Sequence, residues 1–188
     1  MNIIEEAKKF TISEMEQFGH PNRVLFDISE KKAIELGEKL NADKIIVQVG
    51  ICLMDIKLGQ AIVENRLAQH VQMGVEAAKV FLDKFKIDEI SKEKIINCIE
   101  AHHNDVPYTC IEAEICANAD CYRFISPKGV FISLISASKR YDKFEDCLNW
   151  VEMKMDEKYN ILSLDICKQE LEGYYQTLKK YIADARSL

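Results

Sequence analysis

The sequence predicts an all-α protein: one multi-helix bundle spanning residues 1–188. Three observations carry that reading. Apolar residues recur at helical spacing along nearly the whole chain. The three prolines and seven glycines fall where helices would start and stop. The alternation of a half-buried strand is almost absent.

Taken in order, Ile3, Ile4, Ala7, Phe10, Ile12, Met15 and Phe18 form a first stripe, with Gly19 placed to end it in a left-handed cap. Pro21 suits the first position of the next helix, which puts His20 at its N-cap. That helix carries Val24, Leu25, Ile28, Ala33, Ile34 and Leu36 and runs to about Leu40. Residues 44–56 (KIIVQVGICLMDI) are apolar almost all round, as a central buried helix is. A buried strand is the competing reading there, and length favours helix. Residues 57–64 read as a loop. Leu67, Val71, Gly74, Val75, Ala78 and Leu82 mark another helix, and further helices are expected at about 91–103, 109–125, 129–141, 143–159 and 163–185. No repeat or linker divides the chain.

A net charge of −6 argues against a nucleic-acid scaffold, because phosphate binding needs concentrated Lys and Arg. A small anion remains compatible, since a local cationic pocket outweighs global charge. No apolar run is read as approaching the ~20 residues of a membrane span, and the N-terminus lacks the form of a secretory signal. The seven cysteines include no C-x-x-C pair, so they read as reduced core thiols and the expected compartment is the cytoplasm. Nothing in the sequence sets the oligomeric state.

The informative residues are polar groups on faces that packing wants apolar. Asp55 follows Ile51 and Cys52 by one turn, at the unfavourable end of the helix dipole. Taken alone, it reads more simply as a surface aspartate. Asp120 is in phase with Ala113, Cys116, Ala117 and Phe124. His102 is in phase with Ile95, Cys98 and Ile99, and His70 lies on the stripe of Leu67, Val71 and Gly74. A lone histidine on such a face is usually a satisfied core residue. The chain has four histidines, with three on or beside such faces and two aspartates placed alike, which makes coincidence less comfortable. His and carboxylate on facing helices is how helical proteins build metal sites.

The order of these residues resembles the HD superfamily of metal-dependent phosphohydrolases, whose pattern runs H…HD…D. GHPNRV supplies His20, CLMDIKLG supplies Asp55, QHVQMG opens with His70, EAHHND supplies His102 and His103, and ANADCYRF supplies Asp120. The resemblance covers about residues 20–124, and helices at about 129–185 would complete the fold. It departs at one central place: the family's dyad histidine is Met54 here. A thioether is a poor ligand for Mg, Mn or Fe.

The resemblance implies a phosphohydrolase acting on a small phosphorylated molecule such as a nucleotide or phosphomonoester. His20, Asp55 and Asp120 would hold a divalent ion (Mn, Fe, Mg, Ni or Zn). His70, His102 and His103 would bind a second ion or the phosphate, and the loss of the dyad histidine would weaken binding. Asp55, His70 and His102 are then the catalytic set, and Lys57, Arg23 and Arg66 the candidate phosphate partners. The runner-up is a catalytically degenerate sensing or interaction module of the same fold, and a third reading is a di-iron oxidative enzyme.

Overall fold

A computed structural model describes residues 2–187. Helix α1 (Ile3–Phe18) starts at Asn2, whose side chain accepts a hydrogen bond from the Ile4 amide, and ends at Gly19 with φ 75°. Helix α2 (Arg23–Lys39) is capped by Asn22, not His20. An Asn side-chain oxygen readily accepts the Val24 amide, and the imidazole two residues earlier is left free for other partners.

Helix α3 (Lys44–Leu53) is capped by Asp43, which accepts from the Ile45 and Ile46 amides. It stops earlier than its apolar run suggests. Ile56 donates to the Leu53 carbonyl and Leu58 to the Asp55 carbonyl, both i−3 contacts, so residues 54–57 form a tight turn. Asp55 therefore sits in a turn rather than on the helix.

The predicted 57–64 loop is mostly helix α4 (Leu58–Val63). Gly59, which suggested a loop, serves close packing: a Cβ there would lie 2.7 Å from the His20 carbonyl oxygen and from Phe18 Cβ. Residues 44–63 also contain enough apolar sequence to cross a membrane by length and composition, contrary to the expectation above. Within the fold this stretch is interrupted by the 54–57 turn and is mostly buried.

A short 3₁₀ turn (Leu67–Gln69) leads into α5 (His70–Leu82). Then come α6 (Glu89–Glu100), α7 (Ile111–Ile125), α8 (Pro127–Ala137), α9 (Phe144–Ile161) and α10 (Asp165–Arg186). No strand occurs among the described residues. The fold class is all-α.

Helix α7 is the axis of the molecule, packed against α2, α3, α6, α8, α9 and α10. Its small residues Ala113, Cys116, Ala117 and Ala119 let these neighbours approach closely. The main core gathers around α7 from α1, α2, α3, α5 and α6, and a second cluster joins α8, α9 and α10. Tyr175 packs against both. The site described next lies where the 54–57 turn, the start of α5, the end of α6, α7 and α9 meet.

Candidate metal centre

Three imidazoles converge. His70 opens α5, and His102 and His103 lie in the turn that follows α6. The Nδ1–H of His70 donates to the Leu67 carbonyl at 2.8 Å, and that of His102 donates to the Ile99 carbonyl at 2.6 Å. Each bond makes Nδ1 the donor, so that in the neutral ring Nε2 is the lone pair, the arrangement typical of a metal-binding histidine. Nε2 of His70 lies 3.1 Å from Nε2 of His103. One ring nitrogen from each of the three lies within 4.8 Å of the others.

Nε2 of His102 is buried without a hydrogen-bond partner. It stands 3.5 Å from Oδ1 of Asp55, and Nε2 of His70 stands 4.0 Å from the same oxygen. Burial lowers the pKa of His70 against the pull of Asp55. Burial, with the neighbouring His102 and Lys158, lowers that of His103 to about 3. Imidazole nitrogens beside a carboxylate oxygen suit a divalent ion with mixed nitrogen and oxygen ligation.

The local sequence builds this cluster. Ile95, Cys98 and Ile99 seat α6 in the core, and the following turn keeps His102 in phase with them. The segment beyond is pinned by Asn97, whose side chain donates to the Pro107 carbonyl and accepts from the Thr109 amide.

The other oxygen of Asp55 faces cations. Arg123 Nη2 is 2.7 Å from Asp55 Oδ2 and 2.5 Å from Asp120 Oδ1. Lys158 Nζ is 2.7 Å from Asp120 Oδ2. All four side chains are buried. Burial alone would raise Asp55, but Arg123, His102 and His70 outweigh it and hold the carboxyl well below the usual range. Asp120 is likewise lowered against its burial by Arg123 and Lys158. Burial works against the charge of Lys158, yet Asp120 carries its pKa upward. The implied metal thus fits the imidazole side of Asp55, where a buried lone pair lacks a partner. It does not fit between Asp55 and Asp120, whose charges are already matched. Met54 is 2% exposed and packs in the main core.

A cavity of about 220 Å³ opens beside the centre. His20, Asp55, His70 and His103 line it, together with Arg123, Arg140, Lys154 and Lys158 and an apolar wall that includes Leu25, Phe124 and Trp150. The structure brings Asp55, His70, His102 and His103 together. Asp120 lies behind Arg123 and Lys158, fully buried. His20 stands at the wall with Nδ1 3.4 Å from Arg140, and burial and Arg140 lower its pKa.

The expected phosphate partners do not line this cavity. Lys57 bonds both carboxylate oxygens of Glu14 at 2.9 Å, Arg23 pairs with Asp27 on the surface, and Arg66 pairs with Glu64. The four cations that do line it went unread in the sequence. Two carried a signal. Arg123 follows Asp120 by three on the same helix, and Lys158 continues the buried stripe of Val151 and Met155.

No protein-family model matches the chain. Curated relatives include ribonuclease Y of Finegoldia magna, 33% identical over 114 residues, and ribonuclease Y of Thermoanaerobacter pseudethanolicus, 31% identical over 114 residues. Each alignment covers 61% of this chain and 20% of the relative, so the chain spans about a fifth of their length. Among solved structures, a predicted HD superfamily hydrolase from an uncultured Thermotogales bacterium superposes with TM-score 0.68 at 14% identity, covering 97% of this chain and 91% of that one. Bacillus subtilis YpgQ in complex with ADP superposes with TM-score 0.68 at 18% identity, covering 100% and 96%. The chain has the HD-domain fold, as its ordered His and Asp residues implied.

Proposed function

We propose that this chain is a metal-dependent phosphohydrolase acting on a small phosphorylated molecule. One observation carries the reading: a ring nitrogen from each of His70, His102 and His103 converges within 4.8 Å beside a cavity, with Asp55 Oδ1 3.5 Å from Nε2 of His102 and 4.0 Å from Nε2 of His70. His70, His102, His103 and Asp55 would hold the ion. When bound, it supplies Lewis acidity toward a phosphoryl oxygen.

The remaining work falls to the chain's own residues. Arg140 offers positive charge to anionic oxygens in a partly enclosed space, where such charge acts more strongly than in water, and Arg123, Lys154 and Lys158 add donors whose charges are matched by Asp55, Glu157 and Asp120. The backbone carbonyls of Leu67 and Ile99 hold the two rings in orientation. The apolar wall at Leu25, Phe124 and Trp150 suits a ligand with a planar or apolar part. Support also comes from the relatives, since ribonuclease Y is named for action on a phosphodiester polymer and YpgQ is seen with ADP. A nucleotide is therefore the first substrate to test.

The test is product release from a panel of nucleotides and phosphomonoesters with Mn²⁺, repeated with EDTA and with His102→Ala. Turnover that needs both the ion and His102 is expected. Turnover indifferent to both, or none with any compound, overturns the proposal.

A second reading, a sensing module without turnover, is favoured by the pairing of Asp55 and Asp120 with Arg123 and Lys158. It predicts ADP binding with no hydrolysis. A di-iron oxidative centre needs two adjacent ions, and the gap between the aspartates already holds a guanidinium.

A further inference from the structure

We infer that Arg123, backed by Lys158, is a built-in substitute for a metal cation between Asp55 and Asp120, so that the centre loads a single divalent ion on the imidazole side of Asp55. The site of that remaining ion rests on the function proposed above; the role of the guanidinium does not.

Three observations point the same way. The first is geometry: one nitrogen, Nη2 of Arg123, lies 2.7 Å from a carboxylate oxygen of Asp55 and 2.5 Å from one of Asp120, as a bridging cation would. The second is charge. Two buried carboxylates face one guanidinium and one ammonium, so the group is neutral as it stands. A divalent ion added there would leave two uncompensated positive charges in a buried place, which desolvation makes prohibitive. It could enter only by expelling Arg123. The third is the residue beside Asp55. Met54, beside Asp55 in the same turn, offers a thioether in the core rather than an imidazole.

Arg123 is also fixed in place. Its backbone sits against the start of α8 so closely that a Cβ on Gly129 would lie 2.3 Å from the Arg123 carbonyl oxygen. It lines the cavity as a cation that no chelator can remove.

The experiment counts Mn²⁺ ions on the full chain by elemental analysis and reads their environment by electron paramagnetic resonance. The wild type is expected to bind one ion per chain with the signal of an isolated Mn²⁺. Two ions with an exchange-coupled signal overturn the inference. Arg123→Ala is expected to gain one ion, doubling the stoichiometry, and to gain more in melting temperature from Mn²⁺ than the wild type. A folded Arg123→Ala that binds no more than the wild type also overturns it. If Arg123→Ala does not fold, Arg123→Lys decides. It keeps a cation in place and is expected to hold the wild-type count, and a second ion in it would overturn the inference. His102→Ala separates the two readings. It should remove the wild-type ion. A wild type without any ion, beside an Arg123→Ala that binds one, leaves the role assigned to Arg123 standing and overturns both the imidazole-side ion and the proposed function.

Discussion

Nε2 of His102 faces Oδ1 of Asp55 across 3.5 Å. The Nδ1–H of His102 is already given to the Ile99 carbonyl, so in the neutral ring Nε2 carries a lone pair, and it has no hydrogen-bond partner. A lone pair opposed to a carboxylate oxygen in a buried place is unfavourable until a cation or a proton stands between them. On the other side of Asp55 that need is met by Arg123. The aspartate therefore divides the site into a side already neutralised and a side still open.

His102→Ala is predicted to weaken binding of Mn²⁺ or Zn²⁺ by at least ~10-fold, because loss even of a group that only orients a ligand costs about that much. Competition against a fluorescent chelator measures it. Equal affinity in wild type and variant would remove the imidazole cluster as the binding place.

Met54→His would supply the dyad histidine that the sequence resemblance expects at this position. On sequence alone, it is expected to raise metal affinity. With Met54 in the core and Arg123 holding Asp55, the expected outcome changes: no gain in metal, and a loss of about 1–3 kcal/mol for a buried imidazole without a partner. The gain should appear only when Arg123→Ala is present too. Urea unfolding and metal titration on the single and double variants check both statements. A single variant that binds tighter without losing stability contradicts them.

Which parts were legible follows from what a helical pattern contains. It reports the face on which a residue sits, so Asp55, His70 and His102 stood out as polar groups among Ile51, Cys52, Val71, Ile95 and Ile99. It does not report what stands opposite. Asp120 was visible, but its partner Arg123 looked like an ordinary basic residue near a helix end. Lys158 comes from an element more than thirty residues further along. Lys57, Arg23 and Arg66 lie near the motifs in sequence. The turn at 54–57 and the added helix α4 carry Lys57 away to Glu14 on α1. The early end of α3 was hidden for a related reason: the apolar run continues through residue 56 because the turn itself is buried.

Arg123→Met keeps the volume and removes the charge. It leaves Asp55 and Asp120 in the core with Lys158 alone to face them. Breaking a buried pair in this way costs about 3–5 kcal/mol. Lys158→Met should cost less, because Arg123 still touches both carboxylates. Urea unfolding in EDTA ranks the two variants. A loss under about 1 kcal/mol for Arg123→Met, the range of exposed pairs, would mean the network is not buried in solution.

The histidines set the pH dependence of the metal-free fold. Burial, His102 and Lys158 depress His103 to about 3, whereas an unfolded histidine titrates near 6.5. Between these values the unfolded chain binds a proton that the folded chain refuses. The contribution of His103 is therefore complete above about pH 6.5 and declines as the pH falls toward 3, by up to ~1.4 kcal/mol per pH unit. His70 and His20, also lowered, act in the same direction. The depressed carboxyls of Asp55 and Asp120 enter later: their contribution is present above the ordinary carboxylate pKa near 4 and is lost below it. From pH 6.5 to about 4.5 the histidines dominate, so His103→Asn should flatten the stability slope over that interval while leaving a remainder from His70 and His20. Urea midpoints at pH 7.5, 6.0 and 5.0 in EDTA give the two slopes. Parallel slopes would mean that His103 is free to take up a proton in the folded state, and that the lysine and histidine beside it do not face it as described.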